Sequence, residues 1–522
     1  MVSETVDDNP APQFEYDAIG RRTRRHSPTG SDTTWQWDPA GRLLGLTTDG
    51  HHLTFGHDAG GRLTDWRVGE LAVHRGHTSR GQLSTQDVIA HPASTLNLGL
   101  DVSTQPRALR QDSYAYRPDG YLVDHTIRRD ASDPVQRRFD LDPAGRITAV
   151  VQKGDTTEQY GYDPLGNITG AGSDRREYLG NLLVSDGRTR FHYDAAGRLI
   201  RKTTTRLSHA PDVWHYRYNA FDQLTDVTTP DGRNWRYTYD ALGRRTTKQR
   251  LARDGTVADL TRYTWDGTHL LEQTTGDTTT RWNYQHGSYT PLTQAVDQGS
   301  LDAEFYAIVT DLVGTPVELV DPHTADSVAD ATTDLWGNTT WHGTTDTPLR
   351  FPGQYHDPET GLHYNLHRYY NPRTARYLTQ DPLGLAPSPN PSTYPHNPTG
   401  WTDPLGLVPT ACDEVSRNSA LNQAKQDAGI PRSQHPFEVN RIPMTDRFDR
   451  NILGDNGLPI MTREYSYQLP DGRVIIIQDH GAGHTFGEGG IGDQGPHFNV
   501  RPEGDTRSGR VPGTLEHYPF RR

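Results

Sequence analysis

Histidines, a carboxylate and an amide gather in one glycine-rich segment near the C-terminus. The segment contains Asp479, His480, His484, His497 and Asn499. A neutral imidazole can take a proton from a water molecule that attacks phosphorus. Imidazole, carboxylate and amide groups can also hold a divalent cation that stabilises the leaving oxygen. This combination of residue types indicates hydrolysis of a phosphodiester.

Two further residues near this segment could take part. Arg501 follows Asn499 by two positions, and its guanidinium could hold a phosphate through two parallel hydrogen bonds, although a structural ion pair is an equal alternative. His517 lies in a proline-flanked tail, where a packing role competes with a catalytic one. A metal-free alternative also exists, in which two histidines act as acid and base on RNA and Arg501 binds the phosphate.

A second kind of chemistry is indicated by the pentapeptide Asp-Pro-Leu-Gly-Leu, which occurs at residues 381–385 and again at 403–407. Two carboxylates that share a proton can act as a base toward water and as an acid toward an amide. A single Asp-Pro-x-Gly would merely be a favourable turn capped by its aspartate. Two copies, followed by a change of composition, favour cleavage of the chain itself.

The elements that must position the histidines are a hairpin and a short helix. Residues 461–469 and 473–478 predict two strands joined by the turn Pro-Asp-Gly at 470–472, and the apolar run 474–477 should be buried. Residues 418–428 predict an amphipathic helix that Gly429 and Pro431 end. The second strand therefore delivers Asp479 and His480 from a fixed position.

The first four hundred residues consist of a repeat. Its unit is an aromatic residue, Asp or Asn, two small or apolar residues, Gly, and often Arg followed by an aliphatic residue. Each unit predicts a β-hairpin in which Gly supplies a positive φ and Asp caps the turn, and such hairpins must stack to bury their faces. The copies are residues 16–21, 37–42, 57–62, 141–146, 162–167, 193–198 and 239–244, with degenerate copies at 116–121, 218–223 and 335–338.

Composition supports a turn-rich β protein. Only 32% of the 522 residues are hydrophobic, but 25 Tyr, 10 Trp and 12 Phe argue against disorder. Residues 408–522 carry 13 Lys and Arg against 15 Asp and Glu, so about −11 of the net charge of −13 lies before them. Any phosphate binding must therefore be local. One cysteine excludes a disulfide within the chain and a cysteine-based zinc site.

The repeats resemble the RHS, or YD-repeat, family over about three-quarters of the chain. The resemblance implies a mainly β fold, a cocoon-like spiral sheet of hairpins that encloses a C-terminal passenger, and the repeat region is short for a complete shell. The predicted domains are residues 1–366 for the shell, 367–407 for a core-terminating segment and 408–522 for the passenger. The passenger should be a small α+β domain of the ββα-metal type.

The segment 367–407 resembles the self-cleavage segment of RHS proteins. The resemblance implies that Asp381 and Asp403 form the dyad, that Arg368 steadies them, and that the chain is cut after Leu407. The same family relation predicts an aspartyl-type autoproteolysis that releases the passenger.

The passenger resembles the HNH/endonuclease VII group of nuclease toxins with a Glu-His-His-His signature, most specifically over residues 478–502. By position, the resemblance makes His480 the general base and makes His484 and His497 metal-site candidates. Asp479 and Asn499 are further candidates for the metal, and Glu464 is the candidate for the glutamate of the signature. The implied cofactor is a divalent ion, Mg²⁺, Mn²⁺ or Zn²⁺.

The overall prediction is a polymorphic toxin whose nuclease cleaves nucleic acid, DNA rather than RNA, in the cytoplasm of competing cells. Its partners would be a cognate immunity protein and a secretion apparatus or carrier. The chain begins without a recognisable signal peptide and has no apolar run of the ~20 residues that a membrane span needs. The alternatives are the metal-independent ribonuclease and a YD-repeat surface adhesion protein without an enzymatic tail.

Overall fold

The structure is a computed structural model. It describes residues 2–3, 11–91, 105–129, 132–171, 174–299, 303–411, 420–421, 424–425, 427–431, 434–444, 451, 459–469, 472–480, 497–506, 509–512, 514 and 518–519. The chain divides into two compact units, of which the first comprises Met1–Gln36, Leu43–Gly56 and Thr64–Cys412. The second comprises Trp37–Arg42, His57–Leu63 and Asp413–Arg522. The domain boundaries at 366 and 407 stay predictions.

In the described part of the chain, 31 strands form one sheet, as expected for stacked hairpins. The described strand pairs of this sheet are antiparallel, and each pair consists of strands that follow each other in sequence, for example β22 with β23 and β23 with β24. The first sixteen strands are β1 Val2–Ser3, β2 Gln13–Tyr16, β3 Arg22–His26, β4 Asp32–Trp37, β5 Leu43–Thr48, β6 His51–His57, β7 Leu63–Val68, β8 Leu71–His77, β9 Leu83–Ala90, β10 Arg107–Tyr116, β11 Leu122–Arg129, β12 Val135–Leu141, β13 Ile147–Gln152, β14 Asp155–Tyr162, β15 Ile168–Ala171 and β16 Asp174–Leu179. The other fifteen are β17 Leu182–Asp186, β18 Thr189–Tyr193, β19 Leu199–Thr204, β20 Asp212–Tyr218, β21 Leu224–Thr228, β22 Asn234–Tyr239, β23 Arg245–Leu251, β24 Val257–Asp266, β25 His269–Thr275, β26 Thr278–Tyr284, β27 Pro291–Asp297, β28 Glu304–Thr310, β29 Pro316–Val320, β30 Ser327–Thr333 and β31 Thr339–Gly343.

The repeat turn has the chemistry that its sequence predicts. In the turn between β22 and β23, Asp240 Oδ1 accepts the backbone N–H groups of Leu242 and Arg244, both at 2.9 Å. Arg244 Nε donates to Asp240 Oδ2 at 2.7 Å, and Gly243 has φ +81°. The same carboxylate–arginine bond recurs at 2.6–2.7 Å in the pairs Asp17–Arg21, Asp38–Arg42, Asp58–Arg62, Asp142–Arg146 and Asp194–Arg198. The four-residue spacing between aspartate and arginine thus gives the same turn in each of these repeats.

The aromatic residue of the repeat joins one hairpin to the hairpin before it. Tyr218, which precedes the turn residue Asn219, donates its hydroxyl hydrogen to the carbonyl oxygen of Leu199 at 2.8 Å. A buried tyrosine needs such a partner, and each bond contributes about 1 kcal/mol net. Equivalent bonds run from Tyr162 to Ile147, from Tyr193 to Leu183, from Tyr239 to Leu224 and from Tyr284 to Leu270.

Strands that are far apart in sequence meet within the first unit. Arg25 Nη2 donates to Asn283 Oδ1 at 2.7 Å, and Gln86 Nε2 donates to the carbonyl oxygen of Thr310 at 2.8 Å. Because these residues belong to early and late strands, the sheet bends round on itself, as a shell of hairpins requires.

A small four-stranded sheet packs against the repeats and carries the cleavage motif. Its strands are β32 Tyr355–Asp357, β33 Leu362–Asn365, β34 Arg368–Asn371 and β35 Arg376–Tyr377. Leu362 and Tyr369 share one core with Tyr216 and Tyr237 of the repeat sheet. A two-stranded sheet follows, formed by β36 Trp401–Thr402 and β37 Thr410–Ala411.

A buried ion pair fastens β32 to the repeat sheet. Arg245 Nη1 and Nη2 donate to the Asp357 carboxylate at 2.6 and 3.1 Å, and Lys248 Nζ donates to it at 3.2 Å. The Asp357 side chain is 0% exposed and that of Arg245 is 1% exposed. Both charges depend on each other, because neither has solvent to stabilise it.

The second unit contains a five-stranded sheet, with β38 Glu438–Pro443, β39 Met461–Gln468, β40 Val474–His480, β41 His497–Pro502 and β42 Tyr518–Pro519 in that order. This confirms the predicted hairpin at 461–478 and the burial of Ile475, Ile476 and Ile477, whereas Val474 at the start of the apolar run is half-buried. Within the predicted helix 418–428, the described residues have helical backbone from Ala420 to Asp427. The Ile430 N–H donates to the Lys425 carbonyl at 2.7 Å, and Gly429 has φ +75°, so the helix ends where predicted.

The helix that a ββα unit would place after β40 falls in residues 481–496, which lie outside the described residues. None of the helices described is long and apolar enough to cross a membrane.

Candidate functional site

The central strands of the C-terminal sheet have one apolar and one polar face. Side chains alternate along a strand, so Ile475 and Ile477 of β40 and Phe498 and Val500 of β41 point into one hydrophobic core. The residues between them project from the other face. That face carries Ile476 and, beside it, the polar side chains of Gln478 and His480 on β40, His497 and Asn499 on β41, and their neighbour Glu464 on β39. The sheet thus collects polar side chains on one surface.

His480 and His497 lie directly opposite each other on the neighbouring strands β40 and β41. They are register partners, and His480 Nδ1 lies 3.2 Å from His497 Nε2, with the rings nearly perpendicular at 83°. The side-chain amide nitrogen of Asn499, Nδ2, lies 3.4 Å from His480 Nδ1. His497 is 1% exposed, whereas His480 is only partly buried. Three polar atoms therefore converge at the end of β40.

This spacing fits two ligands of one divalent ion. Zinc–nitrogen bonds of about 2.0–2.1 Å in a tetrahedral site separate two nitrogens by about 3.3–3.4 Å. The separation of His480 Nδ1 and His497 Nε2 is 3.2 Å. The described residues contain no group of three His, Cys, Asp or Glu side chains placed to share an ion. His484, the third predicted histidine, lies outside the described residues, as does His517.

Glu464 lies on the same face as the histidines. Its Oε1 accepts a hydrogen bond from Gln478 Nε2 at 2.7 Å, and both side chains are buried. Glu464, Gln478 and Asn499 are neighbours across three strands, which are spaced by about 4.8 Å. Gln478 was not predicted, and its only sequence signal is its place two residues before His480.

Asp479 is not brought together with the histidines. It alternates with Gln478 and His480 along β40 and is paired with Phe498, so its side chain belongs to the opposite face. Tyr465 donates its hydroxyl hydrogen to Asp479 Oδ2 at 3.3 Å. Asp479 was predicted as a metal-site candidate next to the base His480, but residues that are adjacent along a strand have side chains on opposite faces.

Arg501 shares the face of His497 and Asn499, because the three alternate along β41. Its Nη1 donates to the carbonyl oxygen of Gly509 at 3.0 Å. This bond fixes one end of the guanidinium on the surface that carries the histidines.

The cleavage motif brings its predicted residues together in the first unit. Arg368 Nη2 lies 2.8 Å from Asp381 Oδ2 and 3.2 Å from Asp403 Oδ2. All three side chains are at most 4% exposed. Burial raises the pKa of the Asp381 carboxyl, and the negative charge of Asp403 adds to this rise while Arg368 opposes it. The two carboxylates are therefore close enough for their charges to interact.

The predicted cleavage point lies beside this pair. Leu407 donates its backbone N–H to Asp403 Oδ1 at 2.7 Å, and the next residue, Val408, is 50% exposed. Gly406 has φ +70°, and a Cβ there would lie 2.6 Å from the carbonyl oxygen of Asn365. The second motif thus needs its glycine to pass this close to β33.

Sequence reasoning missed Tyr377 at this site. Its hydroxyl donates to Asp403 Oδ2 at 2.8 Å, and its ring lies 3.6 Å from the guanidinium carbon of Arg368. Tyr377 and Asp403 are 26 positions apart in the sequence, so their contact becomes visible only in the folded chain, where Tyr377 lies on β35.

Three family models match the chain. Residues 451–520 match HNH/Endo VII superfamily nuclease toxins, residues 145–386 match the teneurin YD-shell, and residues 16–52 match the RHS repeat. The first match contains β39 to β42 and hence the polar face with the two histidines. The second runs from the repeat sheet through the four-stranded sheet to the first Asp-Pro-Leu-Gly-Leu motif, and the third lies in the repeat sheet.

Among curated proteins, the chain is similar to two from Dickeya dadantii (strain 3937). It is 32% identical over 425 residues to the probable deoxyribonuclease RhsB, covering 77% of this chain and 28% of that protein. It is 29% identical over 502 residues to the probable deoxyribonuclease RhsA, covering 89% of this chain and 33% of that protein. The chain therefore spans about a third or less of the length of these relatives.

A solved structure, the Tc holotoxin pore of Photorhabdus luminescens, shares the fold. The match has a TM-score of 0.52 at 16% identity and covers 77% of this chain and 21% of that one. The likeness supports a spiral β-shell for the repeat region.

Proposed function

We propose that the chain belongs to an RHS-repeat polymorphic toxin and that its residues 408–522 hydrolyse DNA in a metal-dependent reaction. The matches to the RHS repeat, the teneurin YD-shell and HNH/Endo VII superfamily nuclease toxins support this. The observation that carries this proposal is the convergence of His480, His497 and Asn499 on one polar face. DNA is favoured because two relatives are named as probable deoxyribonucleases.

The different exposure of the two histidines supports different roles for them. His480 is partly exposed and can reach water, so we assign it as the general base rather than as a second ligand of the ion. His497 is buried and held in place, so it is a metal ligand, with Asn499 and His484 as further candidates. A bound Mg²⁺, Mn²⁺ or Zn²⁺ would stabilise the leaving oxygen. Arg501, on the same face, binds the phosphate.

Plasmid cleavage tests this assignment. The purified protein should nick or linearise plasmid when a divalent ion is present and should lose this activity in EDTA. His480→Ala should be inactive, whereas His435→Ala should cleave normally, because His435 is an exposed histidine of the same unit. Cleavage of RNA in EDTA would instead support a metal-independent ribonuclease, in which the two facing imidazoles act as acid and base.

The segment around Asp403 supports a second activity, cleavage of the chain after Leu407 by Asp381 and Asp403. Arg368 bridges the two carboxylates, and the N–H of Leu407 is held by one of them. The bond to the exposed Val408 would be hydrolysed, which separates residues 408–522 from the shell. Wild-type protein should therefore run as two pieces on a denaturing gel, and Asp403→Asn should run as one.

The biological setting of this activity is also a proposal. The shell of residues 1–366, closed by 367–407, encloses the nuclease until it is delivered into the cytoplasm of a competing cell. A secretion apparatus or carrier exports the toxin, and a cognate immunity protein protects the producing cell. Cleaved pieces that co-purify in native buffer would support enclosure, and their free dissociation would argue against it.

A further inference from the structure

Asp403 differs from the turn aspartates of the repeats in the hydrogen-bond partners of its Oδ2 atom. In both settings Oδ1 accepts the N–H of the residue four positions later, Arg244 for Asp240 and Leu407 for Asp403. In the repeats the same arginine also occupies Oδ2. Leucine cannot donate a side-chain hydrogen bond, so Oδ2 of Asp403 is left to groups from other strands.

Those groups are Tyr377 and Arg368, and the direction of the tyrosine hydrogen bond is fixed. Asn365 Nδ2 donates to the Tyr377 hydroxyl oxygen at 2.9 Å and to the carbonyl oxygen of Asp403 at 2.8 Å. Since the phenol oxygen accepts from Asn365, its own hydrogen points to Asp403 Oδ2 at 2.8 Å. Burial raises the pKa of Tyr377 well above its ordinary value, so the phenol keeps this hydrogen.

Asp381 has no equivalent donor in the described structure. Its Oδ2 meets Arg368 and its Oδ1 accepts the N–H of Leu383 at 2.8 Å. Hydrogen bonds to a carboxylate favour its ionised form, whereas burial and a neighbouring negative charge favour protonation. The two carboxyl groups therefore differ in their hydrogen-bond partners, because only Asp403 accepts a phenol hydrogen in the described structure.

We propose that Tyr377 is a positioning residue that assigns the two carboxyl roles: Asp403 is the base and Asp381 is the acid. This inference rests on the proposed self-cleavage. Asp403 takes a proton from water as the water oxygen bonds to the Leu407 carbonyl carbon. The carbon–nitrogen bond to Val408 then breaks, and the nitrogen receives the proton of Asp381. The products are a carboxyl group at Leu407 and an amine at Val408.

The proposal predicts an asymmetric pH dependence. Among the described residues, the charged and titratable groups that face the pair are Arg368, Tyr377, Tyr394 and His367. Cleavage needs one ionised carboxylate as the base and one protonated carboxyl group as the acid, so its rate should fall at both low and high pH. Removing the phenol hydrogen bond takes a donor away from the base, so only the low-pH side of the profile should move, toward higher pH.

Tyr377→Phe in the full chain tests this. The chain is made by cell-free synthesis, transferred to buffers from acidic to mildly basic pH, and followed on denaturing gels. Loss of a hydrogen bond to a charged group should slow cleavage by roughly 10- to 100-fold at low pH and much less near the optimum. Asn365→Ala, which frees the phenol to turn away, should shift the same side of the profile by a smaller amount.

Tyr370→Phe is the matched control. Tyr370 belongs to the same buried aromatic cluster as Tyr377, but its hydroxyl donates to the carbonyl oxygen of Trp336. It should keep the wild-type pH profile, and thermal unfolding should show that both variants fold.

If folded Tyr377→Phe cleaves with the wild-type rate and pH profile while Asp403→Asn stays uncut, the proposed role of Tyr377 is wrong. Self-cleavage by the aspartate pair would still stand. A shift of the high-pH side instead would also overturn it, because the roles would be reversed. Cleavage of Asp403→Asn after Leu407 would overturn self-cleavage by the pair, and this inference with it.

Discussion

Replacing Asp357 by Asn should weaken the repeat unit far more than replacing an exposed aspartate of the same sheet. The change removes the carboxylate that Arg245 and Lys248 share at 2.6–3.2 Å. Lys248 keeps Glu359 at 3.2 Å, so the charge left without a carboxylate is that of Arg245. Removing one partner of a buried pair costs about 3–5 kcal/mol, because an uncompensated charge stays buried. The matched control is Asp259→Asn, whose partner Arg250 and own side chain are 33% and 56% exposed.

The assay is denaturant unfolding of the uncut Asp403→Asn chain, followed by tryptophan fluorescence. Asp357→Asn should lower the free energy of unfolding by about 3–5 kcal/mol, and Asp259→Asn by at most about 1 kcal/mol. Burial works against the charged form of Asp357, but Arg245 and Lys248 hold its pKa below the ordinary value. Its contribution is therefore present above the unfolded pKa and lost as pH falls through the folded one. Equal unfolding of the two variants would refute a stabilising ion pair.

His480→Ala should reduce nuclease activity by roughly 10²- to 10⁴-fold, measured by plasmid cleavage at saturating metal, because it removes the general base. His497→Ala should also inactivate, but excess Mg²⁺ or Mn²⁺ should restore part of the activity if it is a ligand; a titration that is unchanged from wild type would contradict that role. Gly406→Ala should slow cleavage after Leu407 on denaturing gels, because its Cβ would lie 2.6 Å from the Asn365 carbonyl oxygen. Wild-type cleavage by this variant would show that the close approach is not needed.

The parts of the fold that were predictable depend on residues close in sequence. The repeat turn is set by contacts such as Asp240 with Arg244, four residues apart, so the motif alone determines it. The C-terminal hairpin follows from the apolar run 474–477 and the turn before it. Both features are local, and local chemistry is readable from the chain.

The parts that were not predictable depend on register and on distant contacts. Adjacency placed Asp479 beside His480, but alternation along β40 turns the two side chains to opposite faces. The motif predicted Arg368, Asp381 and Asp403, whereas Tyr377 required the fold of β34 and β35. Gln478 was hidden for the same reason, since only the pairing of β39 and β40 shows its bond to Glu464.

The proposal that the C-terminal domain is a metal-dependent nuclease is tested most directly by one plasmid assay. The cleaved protein, treated with mild denaturant to release residues 408–522 and then returned to native buffer, is incubated with plasmid and Mg²⁺ or Mn²⁺, with and without EDTA. We expect plasmid cleavage that EDTA abolishes, that His480→Ala lacks and that His435→Ala retains. Full cleavage in EDTA, or near wild-type cleavage by a folded His480→Ala protein, would contradict the proposal.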